Sequence, residues 1–282
     1  MRKIAPSRLL FLLAMTTSAC SGSRHRASPE TPASLPVEKS LARTDTTTTQ
    51  PIDPLLDHFH IESIVRPRGQ AFTRQVALML GDLSDNELER LVLAVLVEFD
   101  PDSMRENVAR FMLEEAPQGY VAQIATWLHS GASATVDRQA SSYTPPVPLE
   151  DWLATYTEKP PTEDRIRLVA NWSEARQEGV FFLLLEQALD EAAHQVSKAL
   201  RSHRTLFEPL RGEALSARLR QSSTTATLTA LHAHEPIPDE LIANSTLEYE
   251  SEVGQWYVET YQIAVAEAVR AAGSRVARML SR

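Results

Sequence analysis

Metal chemistry is the first possibility that the residue spacing raises. Glu191 and His194 form a Glu-x-x-His step on a predicted helix, and di-iron bundles use two such steps with two further glutamates. The segment DHFH at 57–60 is a poorer second copy. His232 and His234 alternate in a predicted loop before a proline, but zinc needs three or four ligands and no third is close by. We predict no metal site here, and helix-face or loop positions for these side chains.

Covalent catalysis finds little support in the sequence. There is no Gly-x-Ser-x-Gly elbow for a serine nucleophile and no glycine-rich phosphate loop of the common types. Glu114 and Glu115 are adjacent, so on a helix they point apart and cannot clamp one substrate. We therefore predict a protein that is not an enzyme, with no catalytic residues and no cofactor.

Aromatic side chains gather in one stretch near the C-terminus. Trp256, Tyr257 and Tyr261 crowd the start of a predicted helix, and Tyr249 lies just before the turn that precedes it. Aromatics at helical spacing usually pack into a core. The alternative is a groove between helices that binds a peptide or an apolar ligand. Both interpretations stay open at the level of sequence.

The single cysteine, Cys20, lies in TTSACSGS at 16–23. One cysteine forms no internal disulfide and no metal cluster by itself. It follows a basic start, MRKIAPSR, a short apolar run, LLFLLAM, and several small residues. This is the layout of a secretory signal peptide, with an apolar run too short to span a bilayer. We expect residues 1–19 to be that signal.

The cleavage region resembles the lipobox of bacterial lipoproteins, because Ser18 and Ala19 directly precede Cys20. Thr17 departs from the pattern, in which a larger aliphatic residue is usual. The resemblance implies that Cys20 becomes the first mature residue and carries fatty acyl chains such as palmitate. Ser21, in place of an aspartate, favours the outer membrane. We expect the protein to face the periplasm, and exposure at the cell surface is the alternative. Each buried methylene contributes about 0.8 kcal/mol, so several chains anchor the protein firmly.

Charge is distributed unevenly along the chain. Residues 1–50 hold seven basic and three acidic residues, which leaves 21 basic and 34 acidic residues in 51–282. A body with a net charge of −13 repels phosphate backbones, so we expect no nucleic-acid partner. The expected contacts are the membrane, through the lipid at Cys20, and another protein of the cell envelope.

The chain divides by composition into a tether and a helical body. Residues 20–53 are rich in Ser, Thr, Pro and charge and show no hydrophobic period, which predicts a disordered tether. From residue 54 the period is helical, and no strand pair is evident. We predict an all-α, irregular multi-helix bundle. The TPPVP break at 144–148 divides it into two related halves, 54–145 and 146–282, which pack as one body.

Individual helices are marked by their caps and apolar stripes. Ser84 and Glu87 form a capping box, and Asp100 with Pro101 starts the next helix. The expected inward faces are Leu88, Leu91, Val92, Val95 and Leu96 in the first of these helices, and Val253, Tyr257, Tyr261, Ala264, Ala268 and Ala271 in the last helix of the chain. The six apolar residues at 180–185 predict the most deeply buried segment.

Two segments align weakly at a shift of 121 residues. PQGYVAQIATWLHSG at 117–131 lies over PDELIANSTLEYESE at 238–252, and Ser130 matches Ser251. Each reads as a helix that starts near a proline, a sharp break near the serine and a second helix. Residues 70–280 resemble a family of secreted, helical bacterial proteins known only as a domain of unknown function, in which a Ser-Pro-x-Gly turn joins two helices. Ser251 and Gly254 fit that turn, while Glu252 replaces its proline.

The function hypothesis that follows is a lipid-anchored, non-enzymatic envelope protein that binds another envelope protein. Two alternatives remain. One is a carrier of a small apolar ligand in a cavity between helices, and the other is a metal-dependent enzyme that uses His194.

Overall fold

The computed structural model describes residues 61–81, 83–156, 158–200 and 210–281, which are mostly helical and contain no strand. The predicted signal peptide at 1–19, Cys20, the predicted tether at 20–53 and the DHFH segment lie outside these residues. The helices are α1 (Ile61–Leu80), α2 (Asp85–Glu98), α3 (Pro101–Glu115), α4 (Tyr120–Ser130), α5 (Ala132–Ser142), α6 (Leu149–Tyr156), α7 (Glu163–Ala175), α8 (Glu178–Leu200), α9 (Gly212–Ala233), α10 (Asp239–Glu250) and α11 (Glu252–Leu280). The predicted all-α, multi-helix fold is confirmed. Within the described part, no helix has the length and apolar character needed to cross a membrane.

Several helices begin where local capping chemistry predicts. The Ser84 hydroxyl accepts a hydrogen bond from the Glu87 backbone N–H, and the Ser84 N–H donates to the Glu87 carboxylate at 2.8 Å. Asp100 accepts from the Ser103 N–H at 2.9 Å, directly before Pro101. These side chains satisfy N–H groups that have no partner inside the helix, so α2 and α3 start as expected.

The main core is built on the long helices α8 and α11, with α1, α2, α3 and part of α4 packed around them. The two axes come close together at Gly273, where a Cβ atom would lie 2.2 Å from the Ala192 Cβ. Ala264 and Ala268 are buried as predicted, but Ala271 is exposed. That part of the prediction was wrong because Ala271 lies on the exposed face of α11, together with Ile263, Glu267 and Arg278.

The apolar run at 180–185 is not the most deeply buried segment, which corrects the prediction. Only Leu183 and Leu185 are buried, and the other four side chains are half-buried. The run lies in the first turns of α8, which α11 and α9 cover only in part. Burial is complete further along α8, at Ala188, Ala192 and Val196.

A second, smaller core surrounds Trp172. It combines Val136 of α5 with side chains of α7, α9 and α10, including Ile242. The Trp172 indole N–H donates to the Ser245 hydroxyl at 3.0 Å, which satisfies the one polar group of this buried ring. Both cores draw residues from each side of the expected boundary at 145/146, so the two halves share their interior.

Candidate functional site

The two segments that align in sequence form two helix junctions that contact each other. α4 ends at Ser130 and α5 begins at Ala132, while α10 ends at Glu250 and α11 begins at Glu252. Each junction is thus a helix, a one-residue break and a second helix. Trp127 and Glu248 occupy equivalent positions in the alignment, and the Trp127 indole N–H donates to the Glu248 carboxylate. The junctions therefore pack through corresponding positions.

Glu248 caps a helix that is remote from it in sequence. Its carboxylate accepts from the backbone N–H groups of Ala132 at 2.7 Å and Ser133 at 2.8 Å. α5 has no capping side chain of its own, because Gly131 occupies its N-cap position. A side chain there would meet the Glu248 carboxylate at 2.7 Å and the Trp127 carbonyl oxygen at 2.6 Å. A negative charge at this end of α5 also suits the helix dipole.

The serines of the two junctions have different roles. The Ser251 hydroxyl accepts from the Gly254 N–H at 3.0 Å and caps α11. The Ser130 hydroxyl donates instead to the Thr126 carbonyl oxygen. Only the second junction therefore has the local serine cap, and the first takes its cap from Glu248.

Two of the four aromatic residues singled out in the sequence lie in the core. Tyr249 and Tyr257 are buried, and the Trp127 ring meets both edge to face at 5.2 Å and 5.3 Å between ring centroids. Burial raises the pKa of both phenols. Tyr261 is half-buried and stacks on Tyr257 at 5.9 Å. The packing interpretation accounts for these three rings.

Trp256 lies apart from that stack, against Tyr120 at 5.6 Å between ring centroids. The Tyr120 hydroxyl donates to Glu252 at 2.7 Å. A cleft of about 670 Å³ lies beside the junctions and is lined by Trp127, Glu248 and Glu252 among others. None of the four predicted side chains is among its lining residues. A ligand groove along Tyr249, Trp256, Tyr257 and Tyr261 stays a prediction.

Arg176 joins the junctions to the second core. Its guanidinium lies 4.3 Å from the centre of the Trp172 ring and 5.2 Å from that of Tyr249. It also pairs with Asp137 and Glu178, each at 3.4 Å. The cation is therefore held by two carboxylates and two ring faces, an arrangement that stabilises packing and leaves no charge for a substrate.

The alternating histidines have structural partners. His232 lies in the last turn of α9 and His234 caps that helix, which corrects the prediction that the pair lies in a loop. A ring nitrogen of His232 is 2.7 Å from the Val147 carbonyl oxygen, and one of His234 is 2.9 Å from the Ala230 carbonyl oxygen. Burial lowers the pKa of His234 to about 4.

The Glu-x-x-His step is also engaged in packing. Glu191 accepts a hydrogen bond from the guanidinium of Arg270 on α11. In the part of the chain that the structure describes, no three His, Cys, Asp or Glu side chains lie close enough together to hold a metal ion.

The largest departure from the predicted burial is on α2. Leu91, Ala94 and Val95 face the core, but Leu88, Val92 and Leu96 do not, although the sequence placed them on the inward face. Leu96 is 69% exposed, Val97 60% and Leu93 55%, while Leu88 and Val92 are exposed to a lesser degree. The outer face of α2 is thus the five side chains Leu88, Val92, Leu93, Leu96 and Val97.

Polar residues around this face are mainly acidic. Asp85 and Glu89 are exposed, and neither forms an ion pair with a described residue. Arg90, the only basic residue of α2, donates to the Leu280 carbonyl oxygen at 3.3 Å. Glu98 at the far end is paired with Arg275. The outer face of α2 is therefore apolar in the middle and negative towards its N-terminal end.

Neither the family models, nor the curated proteins, nor the solved structures with which the chain was compared give a match.

Proposed function

We propose that this protein is a lipid-anchored, non-enzymatic protein of the cell envelope, and that the outer face of α2 binds another envelope protein. The observation that carries the proposal is the exposed apolar surface of α2. The segment LVLAVLV of α2 is apolar on all sides, and such a segment is normally covered on all sides. Among the described residues it is covered on one side only. Contiguous exposed apolar surface of this kind marks interaction sites.

The size of the face suits a moderate contribution to binding. Its five side chains retain on average about half of their accessible surface. Covering them would contribute roughly 4–8 kcal/mol before the costs of association, at about 1.5–3 kcal/mol for each fully exposed side chain. A partner must therefore add polar or charged contacts at the border of the face.

Charge indicates what the partner presents. Asp85 and Glu89 lie beside the apolar residues without a basic partner among the described side chains. The partner surface should accordingly be an apolar patch or helix flanked by Lys or Arg. An anionic bilayer is a poorer occupant, since the acidic border repels its head groups.

The proposed anchoring rests on the sequence around Cys20 and on the composition of residues 20–53, which predicts a spacer between the lipid and the body. The resemblance to secreted, helical proteins of unknown function agrees with this setting. The proposed location is the outer membrane, with the body in the periplasm. Metabolic labelling with a fatty-acid probe tests the anchor. Label should enter the unmodified protein and be lost from Cys20→Ser, and label that persists in that variant would refute acylation at this residue.

The binding surface is tested by capture from native envelopes. The protein carrying Leu93→Glu and Leu96→Glu should lose a partner that the unmodified protein retains. Leu247→Glu is the matched control, because Leu247 is 65% exposed on the distant helix α10. Equal capture by all three forms would contradict the proposal. If no protein is captured and the unmodified protein instead binds anionic vesicles, in a way that Leu93→Glu and Leu96→Glu abolish, the face binds lipid and not a protein.

A further inference from the structure

A cleft of about 600 Å³ lies between α1, α8 and α9, away from the aromatic junctions. Its size is in the range of small-molecule sites, about 300–1,000 Å³. Its apolar lining includes Met79, Leu183, Ala214 and Ala217. Its charged lining residues are Glu186 and Asp190, from successive turns of α8, and Arg218 of α9.

Three carboxylates of α8 in this region differ in their partners. Glu186 receives two hydrogen bonds from the guanidinium of Arg218, one of them 2.9 Å long. Glu191 is paired with Arg270. Among the described residues, the hydrogen-bond partner of Asp190 is the amide of Gln75, which donates but brings no charge. In the described part of the chain, Asp190 is therefore the one carboxylate of the three without a direct ion pair, and it lines the cleft. Arg218, which is paired with Glu186, lines the cleft as well.

The pKa of Asp190 also reflects its burial and the charges around it. Burial raises the pKa of the Asp190 carboxyl, and Glu186 raises it further, while the Gln75 hydrogen bond and Arg218 oppose the shift. A ligand that brought a positive charge would relieve the cost of keeping this group ionised.

We propose that the cleft binds a small amphiphile with one ammonium group and an aliphatic or aromatic body. The ammonium group pairs with Asp190. The body lies against Leu183, Met79 and the alanines of α9. The site is separate from the outer face of α2, so the proposal does not depend on the proposed function.

Octylamine and its neutral counterpart octanol serve as probes in calorimetric titrations. The protein is the full-length chain with Cys20→Ser, which removes the proposed acylation site. Octylamine should bind with a dissociation constant on the order of 1 mM or lower, and octanol about tenfold more weakly. No detectable binding of octylamine would overturn the proposal.

Two variants locate the binding. Asp190→Asn should weaken octylamine about tenfold and leave octanol unchanged. Asp151→Asn, at an exposed carboxylate of α6, is the control and should change neither. Ala217→Trp fills the cleft from an exposed position, so the fold should be kept while both probes bind more weakly. Equal octylamine affinity in the unmodified and Asp190→Asn forms, or full affinity in Ala217→Trp, would overturn the assignment.

Discussion

Replacing Glu248 by alanine should destabilise the protein far more than its half-buried position suggests. The carboxylate accepts three hydrogen bonds, from Trp127, Ala132 and Ser133. Each lost bond costs about 1 kcal/mol, because the donors remain partly shielded from water. The free energy of unfolding should therefore fall by about 3 kcal/mol. Urea unfolding followed by tryptophan fluorescence measures this loss.

The neighbouring exposed residue supplies the control. Glu250→Ala removes the same charge two residues away and should change stability by less than about 0.5 kcal/mol. Glu248→Gln keeps one acceptor oxygen and should fall between the two. A loss below about 1 kcal/mol in Glu248→Ala would refute the view that Glu248 joins the two junctions.

Two further substitutions test the packing and the pH dependence. Gly273→Ala places a Cβ atom 2.2 Å from that of Ala192 and should lower the free energy of unfolding in urea by roughly 1–3 kcal/mol. Gly69→Ala is the control, because its nearest contact would be 3.6 Å, and it should be neutral or slightly stabilising. Equal effects of the two substitutions would contradict the close approach of α8 and α11. His234 has a folded pKa of about 4 against its usual 6.5, so the unfolded chain binds more protons between these values and stability should fall as the pH drops through them, by up to roughly 3 kcal/mol. Burial is the main cause, Arg165 and Arg176 add to it, and the Ala230 carbonyl and Asp137 oppose it. His234→Gln should flatten this slope and the exposed His129→Gln should not; an unchanged slope in His234→Gln would contradict the assignment.

The helix starts could be predicted because their causes are local. Ser84, Asp100 and Pro101 act within three or four residues of their own positions. The break expected near Ser251 is also local, because the Ser251 hydroxyl caps α11 through the N–H of Gly254, three residues further on. Sequence alone is sufficient where the partners are neighbours in the chain.

The inward face of α2 could not be predicted because LVLAVLV carries no polar residue to orient it. Its direction is set by α11 and α1, which pack against α2. Leu91, Ala94 and Val95 are the residues of α2 that are buried. Periodicity therefore located the helix but gave the wrong boundary of its buried side. The sequence therefore did not predict the exposed apolar outer face of α2, on which the proposed function rests.

The capping of α5 by Glu248 could not be predicted from the local sequence either. Trp127 and Glu248 were aligned as equivalent positions of a repeat, yet nothing in the alignment shows that equivalent positions touch. The Asp190 cleft is similar, since Gln75, Asp190 and Arg218 come from three separate helices. Such sites depend on tertiary packing.

The central claim is that the outer face of α2 binds a protein, and photo-crosslinking in the native envelope tests it most directly. A photoreactive residue at Leu93 should yield one discrete adduct with another protein, and the crosslinked peptide should be apolar with adjacent Lys or Arg. The same residue at Leu247 should yield none, and Glu89→Lys should weaken the Leu93 adduct. Equal adducts at both positions, or adducts with lipid alone at Leu93, would contradict the claim.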